Sequence, residues 1–315
     1  MTNIIEIENL SKDYETGFWR KRRTRALDGL TLNVEPGQIF GFLGGNGAGK
    51  TTTIKILMSL LFPTEGSAQI LGSDISDVSM RSRIGYCPEN PYFYDYLTAR
   101  ELLDYFGQIF GIGAAKRRAR TEELLTAVGL AEKDWNRQLR KFSKGMQQRV
   151  GLAQSLINEP EIVFLDEPMS GLDPVGRREI RELIASLRDG GTTVFMSTHI
   201  LSDVETLCDN VAILRAGRLA ATGNLTELLS ASGDLRSFEV IAGKVSAEAL
   251  VAAVAAISGA SIKAKPNGTA IEVLSEADID AAVKAIRDAG GTLVSVLPVK
   301  QSLEDLFVGV SETKD

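Results

Sequence analysis

Two carboxylates in succession, Asp166 and Glu167, close an apolar run, and the only histidine of the chain, His199, follows another. Upstream, Gly44 to Thr51 is GGNGAGKT, the G-x-x-x-x-G-K-[ST] spacing of a phosphate loop. A polyphosphate carries several negative charges, and enclosing it takes many donors at short range. Gly44, Gly45, Gly47 and Gly49, with Asn46 and Ala48 between them, let successive backbone N–H groups face phosphate oxygens. A helix entered at Lys50, Thr51 and Thr52 adds the partial positive charge of its N-terminus. In this pattern the Lys50 ammonium reaches the β- and γ-phosphates and the Thr51 hydroxyl ligates Mg²⁺. Asp166 ends a buried strand, where a carboxylate is costly unless paired or held by metal. Orienting water or ligating Mg²⁺ is the task that fits it.

The elements that must position these groups follow from periodicity. Gln38–Leu43 is a short apolar strand feeding the glycine loop, and Ile54, Leu57 and Leu61 continue beyond it at helical spacing. Ile4–Tyr14 and Thr31–Val34 have strand character, the second stopping at the Pro36-Gly37 turn. Residues from Leu97 to about Ile157 are patterned as helix throughout. Strand Ile162–Leu165, helix Val175–Leu187, strand Thr192–Met196, helix Ile200–Leu207 and strand Val211–Leu214 then alternate, which argues a mainly parallel sheet covered by helices. The expected fold class is α/β: a phosphate-loop core over residues 1–230 with an inserted helical subdomain at about 97–158.

The remainder, residues 235–315, changes character after a Ser-, Gly- and Asp-rich stretch at Ser230–Leu235. Strand Phe238–Ile241 precedes a helix capped by Ser246, with Leu250, Val254 and Ile257 on one face. Pro266-Asn267-Gly268 signals a hairpin, and Ser275 with Asp278 resembles a capping box that has Asp in the usual Glu position. A second helix through Ile279, Val283 and Ile286 and a strand at Leu293–Val296 complete the order β-α-β-β-α-β. That order predicts a small ferredoxin-like α+β domain.

Bulk properties narrow the function. The 315 residues carry a net charge of −6, so the balance gives no support to a nucleic-acid partner. No run of roughly 18 consecutive apolar residues is present, as a bilayer span requires, and MTNIIEIENL lacks the basic-then-apolar layout of a secretory signal. Cys87 and Cys208 do not form a disulfide framework, so a reducing cytosol and buried, inert thiols are expected.

The stretch FSKGMQQRVGLAQSLINEPEIVFLDEPMSGLDP, Phe142 to Pro174, joins these pieces. With the phosphate loop before it and STHIL after it, the chain resembles the ATP-binding subunit of ABC transporters from about Ile4 to about Leu229. The resemblance implies ATP as ligand, Glu167 as the base that polarises the attacking water, and His199 against the γ-phosphate. Ser143 and Gly145 fall on the signature motif, with Lys144 and Met146 replacing its glycine and glutamine in a form similar to the exporter branch. In the family that motif binds ATP held by the opposite subunit. One phosphate loop and one signature per chain therefore imply a dimer, and Asp173 matches the loop linking its two sites. Glu89, in IGYCPE, stands where most relatives have glutamine, and joins Thr51 and Asp166 as an implied Mg²⁺ ligand. Gly45 replaces a customary proline without removing a donor, and Tyr14 matches the aromatic that stacks on adenine.

The family partners are separate membrane-spanning permease subunits, which would hold this chain peripherally on the cytoplasmic face of the cell membrane. Tyr92, Phe93, Tyr94 and Tyr96 crowd the loop after Glu89, and aromatics so dense argue an interaction surface. The resemblance places a short helix of the membrane subunit beside it. Arg20–Arg25, with Phe18 and Trp19, could meet anionic headgroups or an acidic partner loop, or form a solvated hairpin tip. Leu303–Phe307 is similar to a segment that ends exporter-branch relatives. Two alternatives stay open: an importer ATPase with a ligand-sensing C-terminal domain, and a non-transport ABC ATPase.

Overall fold

A computed structural model of the chain describes residues 2–17, 22–231, 237–265 and 268–299. Phe18 to Lys21 of the basic insertion, residues 232–236, Pro266-Asn267 and Leu303–Phe307 lie outside these residues. Packing divides the chain into Met1–Leu225 and Thr226–Asp315.

In the first unit β1 (Ile5–Thr16) pairs antiparallel with β2 (Arg22–Val34), and β3 (Ile39–Gly44) runs into α1 (Lys50–Leu57). The chain returns through β4 (Glu65–Ile70), antiparallel to β1, and β5 (Ser73–Asp74). Next come β6 (Ile84–Cys87), three helices, α2 (Ala99–Ile109), α3 (Ala114–Ala127) and α4 (Lys144–Ser155), and β7 (Ile162–Asp166). Then follow α5 (Pro174–Asp189), β8 (Thr193–Thr198), α6 (Leu201–Leu207), β9 (Asn210–Arg215) and β10 (Arg218–Asn224). The main sheet has the order β10-β9-β3-β8-β7-β6 and is parallel except for the β9–β10 hairpin.

The expected single, mainly parallel sheet is only part of the unit. A second, antiparallel sheet of order β2-β1-β4-β5 stands beside it. Its β1 and the end of β2 match the expected strands Ile4–Tyr14 and Thr31–Val34, while β4 escapes the periodicity because it is mostly exposed, with only Ala68 and Ile70 buried. In β4 the backbone itself is the packing surface. Gly66 has φ +82, and a Cβ there would lie 2.3 Å from the Asn9 carbonyl oxygen of β1. The two sheets share one apolar core, and four phenylalanines of the parallel sheet anchor it: Phe195 contacts Phe40, Phe42 and Phe164 with ring centroids 5.6, 5.2 and 5.4 Å apart.

From α7 (Leu225–Ala231) the second unit continues as β11 (Ser237–Gly243), α8 (Ala247–Val254), β12 (Ser261–Lys265), β13 (Gly268–Val273), α9 (Ala277–Asp288) and β14 (Thr292–Val299). Its sheet order, β12-β13-β11-β14, with every pair antiparallel, is the ferredoxin-like arrangement. Leu250, Val254, Ile257 and Ile286 are buried in its core. The Ser246 hydroxyl accepts from the Ala249 N–H at 3.4 Å. Ser275 does not cap α9. Its hydroxyl donates to Asp278 at 2.6 Å, because the short aspartate side chain meets the hydroxyl before it can reach back to the backbone. The packing division at Leu225 also falls ahead of the expected Ser230–Leu235.

Phe195→Ala removes the ring at the centre of the phenylalanine cluster. Urea unfolding of the full chain should show a loss of about 3–5 kcal/mol.

Candidate functional site

Six consecutive buried residues make β3, which reaches the phosphate loop with no slack. The loop turns into α1 at Gly49, whose φ of +109 and clearance suit glycine alone, since a Cβ would stand 2.7 Å from the Ala26 carbonyl oxygen. The Lys50 side chain is buried and folds back over the loop, donating to the Gly44 carbonyl at 2.6 Å. Around it opens a cleft of about 450 Å³, lined by Gly45 through Thr52 together with Ala26, Glu89, Glu167 and His199. Gly44 closes the end of β3 just behind the lining, where its missing side chain lets the loop pass the Leu214 carbonyl. Tyr14 stands at the edge, its hydroxyl 3.4 Å from the Thr52 hydroxyl.

The carboxylates come from β7. Asp166 is the last residue of the strand and 1% exposed, and Glu167, 8% exposed, follows with φ +51. A non-glycine residue in the left-handed region is uncommon, and such strain persists where surrounding contacts over-determine it. Here the parallel register supplies those contacts by setting Asp166 opposite Ser197 of β8. The Ser197 hydroxyl donates to Asp166 Oδ1, while the Glu167 N–H donates to the Ser197 carbonyl at 3.1 Å and points to its Oγ at 3.3 Å. Glu167 is thereby turned toward the cleft, where Oε1 lies 2.9 Å from His199 Nδ1 and 3.7 Å from Lys50 Nζ. Ser197 belongs to the site and was missed in the sequence. The only signal for it is its place two residues before His199, and its role depends on a strand register that residue types do not reveal. Ala26, on β2, was missed for the same reason.

Glu89 follows β6 and faces the phosphate loop across the cleft. On that strand burial and the neighbouring Asp166 push the Cys87 thiol up to about 12 and the Tyr86 phenol up to about 12, so neither ionises at neutral pH. Among the described residues no group of three or more His, Cys, Asp or Glu side chains is disposed to hold a metal by itself. Thr51 and Glu89 line the cleft, while Asp166 does not line it and accepts from Ser197, and all three offer hard oxygen donors. That donor set fits Mg²⁺, which takes one or two carboxylates and completes its shell with phosphate and water.

Ser143, Gly145 and Asp173 do not line the cleft. The Ser143 hydroxyl caps α4, accepting from the Met146 N–H at 3.3 Å, and Asp173 caps α5, accepting from the Gly176 N–H at 2.8 Å. The two caps are neighbours: a Cβ on Gly145 would lie 3.0 Å from the Gly171 carbonyl. Arg149 of α4 reinforces the contact through an ion pair to Glu179 of α5 at 2.7 Å. Together they form a second, solvent-facing group of helix starts. Of the aromatic loop, Tyr92, Tyr94 and Tyr96 are exposed, while Phe93 is tucked inward and offers no surface.

Known proteins share the fold of the first unit. The family model described as ABC transporter matches residues 27–170. An ABC transporter ATP-binding protein of Synechocystis is 44% identical over 307 residues, spanning 97% of this chain and 84% of its own. The chain belongs to the ABC transporter family. It is an ATP-binding subunit and an ATPase of that family. A bacitracin transport ATP-binding protein of Enterococcus faecalis is 37% identical, over 79% of each chain, and a daunorubicin resistance ATP-binding protein of Streptomyces coeruleorubidus 35%, over 90% of each. Among solved structures, the ATP-binding cassette MJ0796, a dimer in a post-hydrolysis state with ADP and Pi, superimposes with a TM-score of 0.65 at 28% identity, covering 70% of this chain and 98% of its own.

Ser197→Ala should uncouple the two carboxylates of the ABC ATPase without touching the phosphate loop. Steady-state assays should show turnover reduced about tenfold or more, the scale of one lost hydrogen bond to a charged group, and equilibrium titration should show ATP affinity nearly unchanged.

Proposed function

We propose that this ABC ATPase drives an exporter, working as a dimer of two identical cassettes on separate membrane-spanning subunits. The observation that carries the dimer is the division of the site: phosphate loop, Glu167 and His199 share one cleft, while Ser143, Gly145 and Asp173 face solvent elsewhere on the cassette. Each group is half of an ATP site, and two chains make two whole ones. In support, the superimposable MJ0796 cassette is a dimer. Export is favoured by the Ser-Lys-Gly-Met signature, by Glu89, and by relatives whose names refer to bacitracin transport and daunorubicin resistance.

The chain's own groups then have defined tasks. Backbone N–H groups of Gly45 to Thr51 and the Lys50 ammonium bind the phosphates. Tyr14 stacks on adenine. Glu167 accepts a proton from the attacking water at its carboxylate, and His199, bonded to the same carboxylate at Nδ1, keeps it aimed and contacts the γ-phosphate. Thr51, Glu89 and Asp166 would hold Mg²⁺, which would supply charge neutralisation to the phosphates. The signature of the opposing chain, through Ser143 and Gly145, closes over the γ-phosphate, and Asp173 links the two sites. ATP thus closes the dimer and hydrolysis reopens it. Exposed Tyr92, Tyr94 and Tyr96 provide the surface on which a membrane subunit senses that motion. No helix among the described residues is long and apolar enough to cross a membrane, so membrane association is assigned to the permease chains. The cytoplasmic face, where ATP is available, is the assigned location.

Glu167→Gln retains the binding groups and removes the base. A tagged Glu167→Gln chain, expressed in its native host, should accumulate as an ATP-bound dimer and bring down a polytopic membrane protein from detergent extracts. Recovery only with ribosomes or nucleic acid would instead favour the non-transport alternative.

A further inference from the structure

Lys12 stands on the same face of β1 as Tyr14, two residues away, and does not line the ATP cleft. Its ammonium lies over the Tyr14 ring, 5.5 Å from the centroid, and donates to the Phe62 carbonyl at 2.7 Å, in the segment just beyond α1. The Tyr14 hydroxyl meets Thr52, in the first turn of that helix. The tyrosine is therefore fastened to the phosphate-loop helix at two places. Its own hydroxyl reaches the start of α1, and Lys12, gripping one ring face, reaches past the end.

We infer that Lys12 is a positioning residue for base recognition: it occupies one face of Tyr14, fixes the ring plane relative to the phosphate loop, and directs a purine to the opposite face. The reasoning rests on the assignment of Tyr14 as the stacking residue. An unrestrained tyrosine on a half-exposed strand samples several rotamers, and a base must select one of them at a cost in affinity. A cation against the ring holds one orientation before nucleotide arrives. It also draws π density toward itself, so the open face is less electron-rich and repels a nucleobase π cloud less. The bond to the Phe62 carbonyl keeps the ammonium in place and ties the ring to the chain that follows α1. A lysine whose function was only to hydrogen-bond Phe62 would have no effect specific to the base.

That difference defines the test. Affinities for ATP and for inorganic tripolyphosphate, which has the phosphates and no base, are measured by calorimetry for the full wild-type chain, Lys12→Met, Lys12→Arg and Tyr14→Ala. Lys12→Met keeps the aliphatic stem and removes the charge. It should weaken ATP binding by about two- to fivefold, the size of one exposed cation–π contact, and leave tripolyphosphate binding unchanged. Lys12→Arg should restore the ATP value, because a guanidinium also stacks on a ring. Equal losses for both ligands with Lys12→Met, or no loss for either, would overturn the inference. Tyr14→Ala separates the two levels. If it leaves the ratio of ATP to tripolyphosphate affinity unchanged, the stacking assignment itself fails. If it lowers the ratio while Lys12→Met does not, only the role of Lys12 falls.

Discussion

The junction of the buried Lys50 and Glu167 with the exposed His199 is the constraint on which the rest of the cassette depends. Ionised groups removed from water are stable only when paired and hydrogen-bonded, and here the partners come from three neighbouring parallel strands, β3, β7 and β8. The Glu167 carboxylate lies between a lysine at 3.7 Å and a histidine at 2.9 Å. Its left-handed backbone is what turns it from the sheet toward them. A slip of one residue in the β7–β8 register would separate Asp166 from Ser197 and release that turn. The phenylalanine cluster below, centred on Phe195, locks the three strands together, so core packing and catalytic alignment are the same requirement seen from two ends of the sheet.

A second consequence concerns charge. Glu89 and Glu167 line the cleft, with the buried Asp166 next to Glu167 in the chain, and Lys50 is already bonded to the Gly44 carbonyl and close to Glu167. A phosphate group entering the cleft would compete with Glu167 for the Lys50 ammonium. That concentration of carboxylate charge is what a divalent cation would offset beside a polyphosphate.

Much of this was legible in the sequence because the chemistry is carried by contiguous segments. Gly44–Thr51, Asp166-Glu167 and His199 each sit directly after an apolar strand, and local patterning is enough to place them at strand ends. What was not legible depends on distant pairing. The β4 strand is mostly exposed and takes its conformation from β1 through the close approach at Gly66. In β6 the signal was weakened by Gly85, where a Cβ would collide with the Ser155 carbonyl of α4. Ser197 acquires its role only from the register of β8 against β7, and Lys12 from a side chain crossing to a segment fifty residues on. Ser275 fails as a cap for a local reason, the short reach of Asp278.

The central claim is that one chain holds two halves of different ATP sites, and mixing inactive variants addresses it directly. Lys50→Met abolishes the phosphate-loop half, and Ser143→Arg the signature half. In a mixed dimer one site loses both halves and the other retains both. Combining the two purified variants should therefore yield ATP turnover above the sum of their separate rates. Turnover that never exceeds that sum, with mixed dimers shown to form, would contradict the divided site and place a complete ATPase within a single chain.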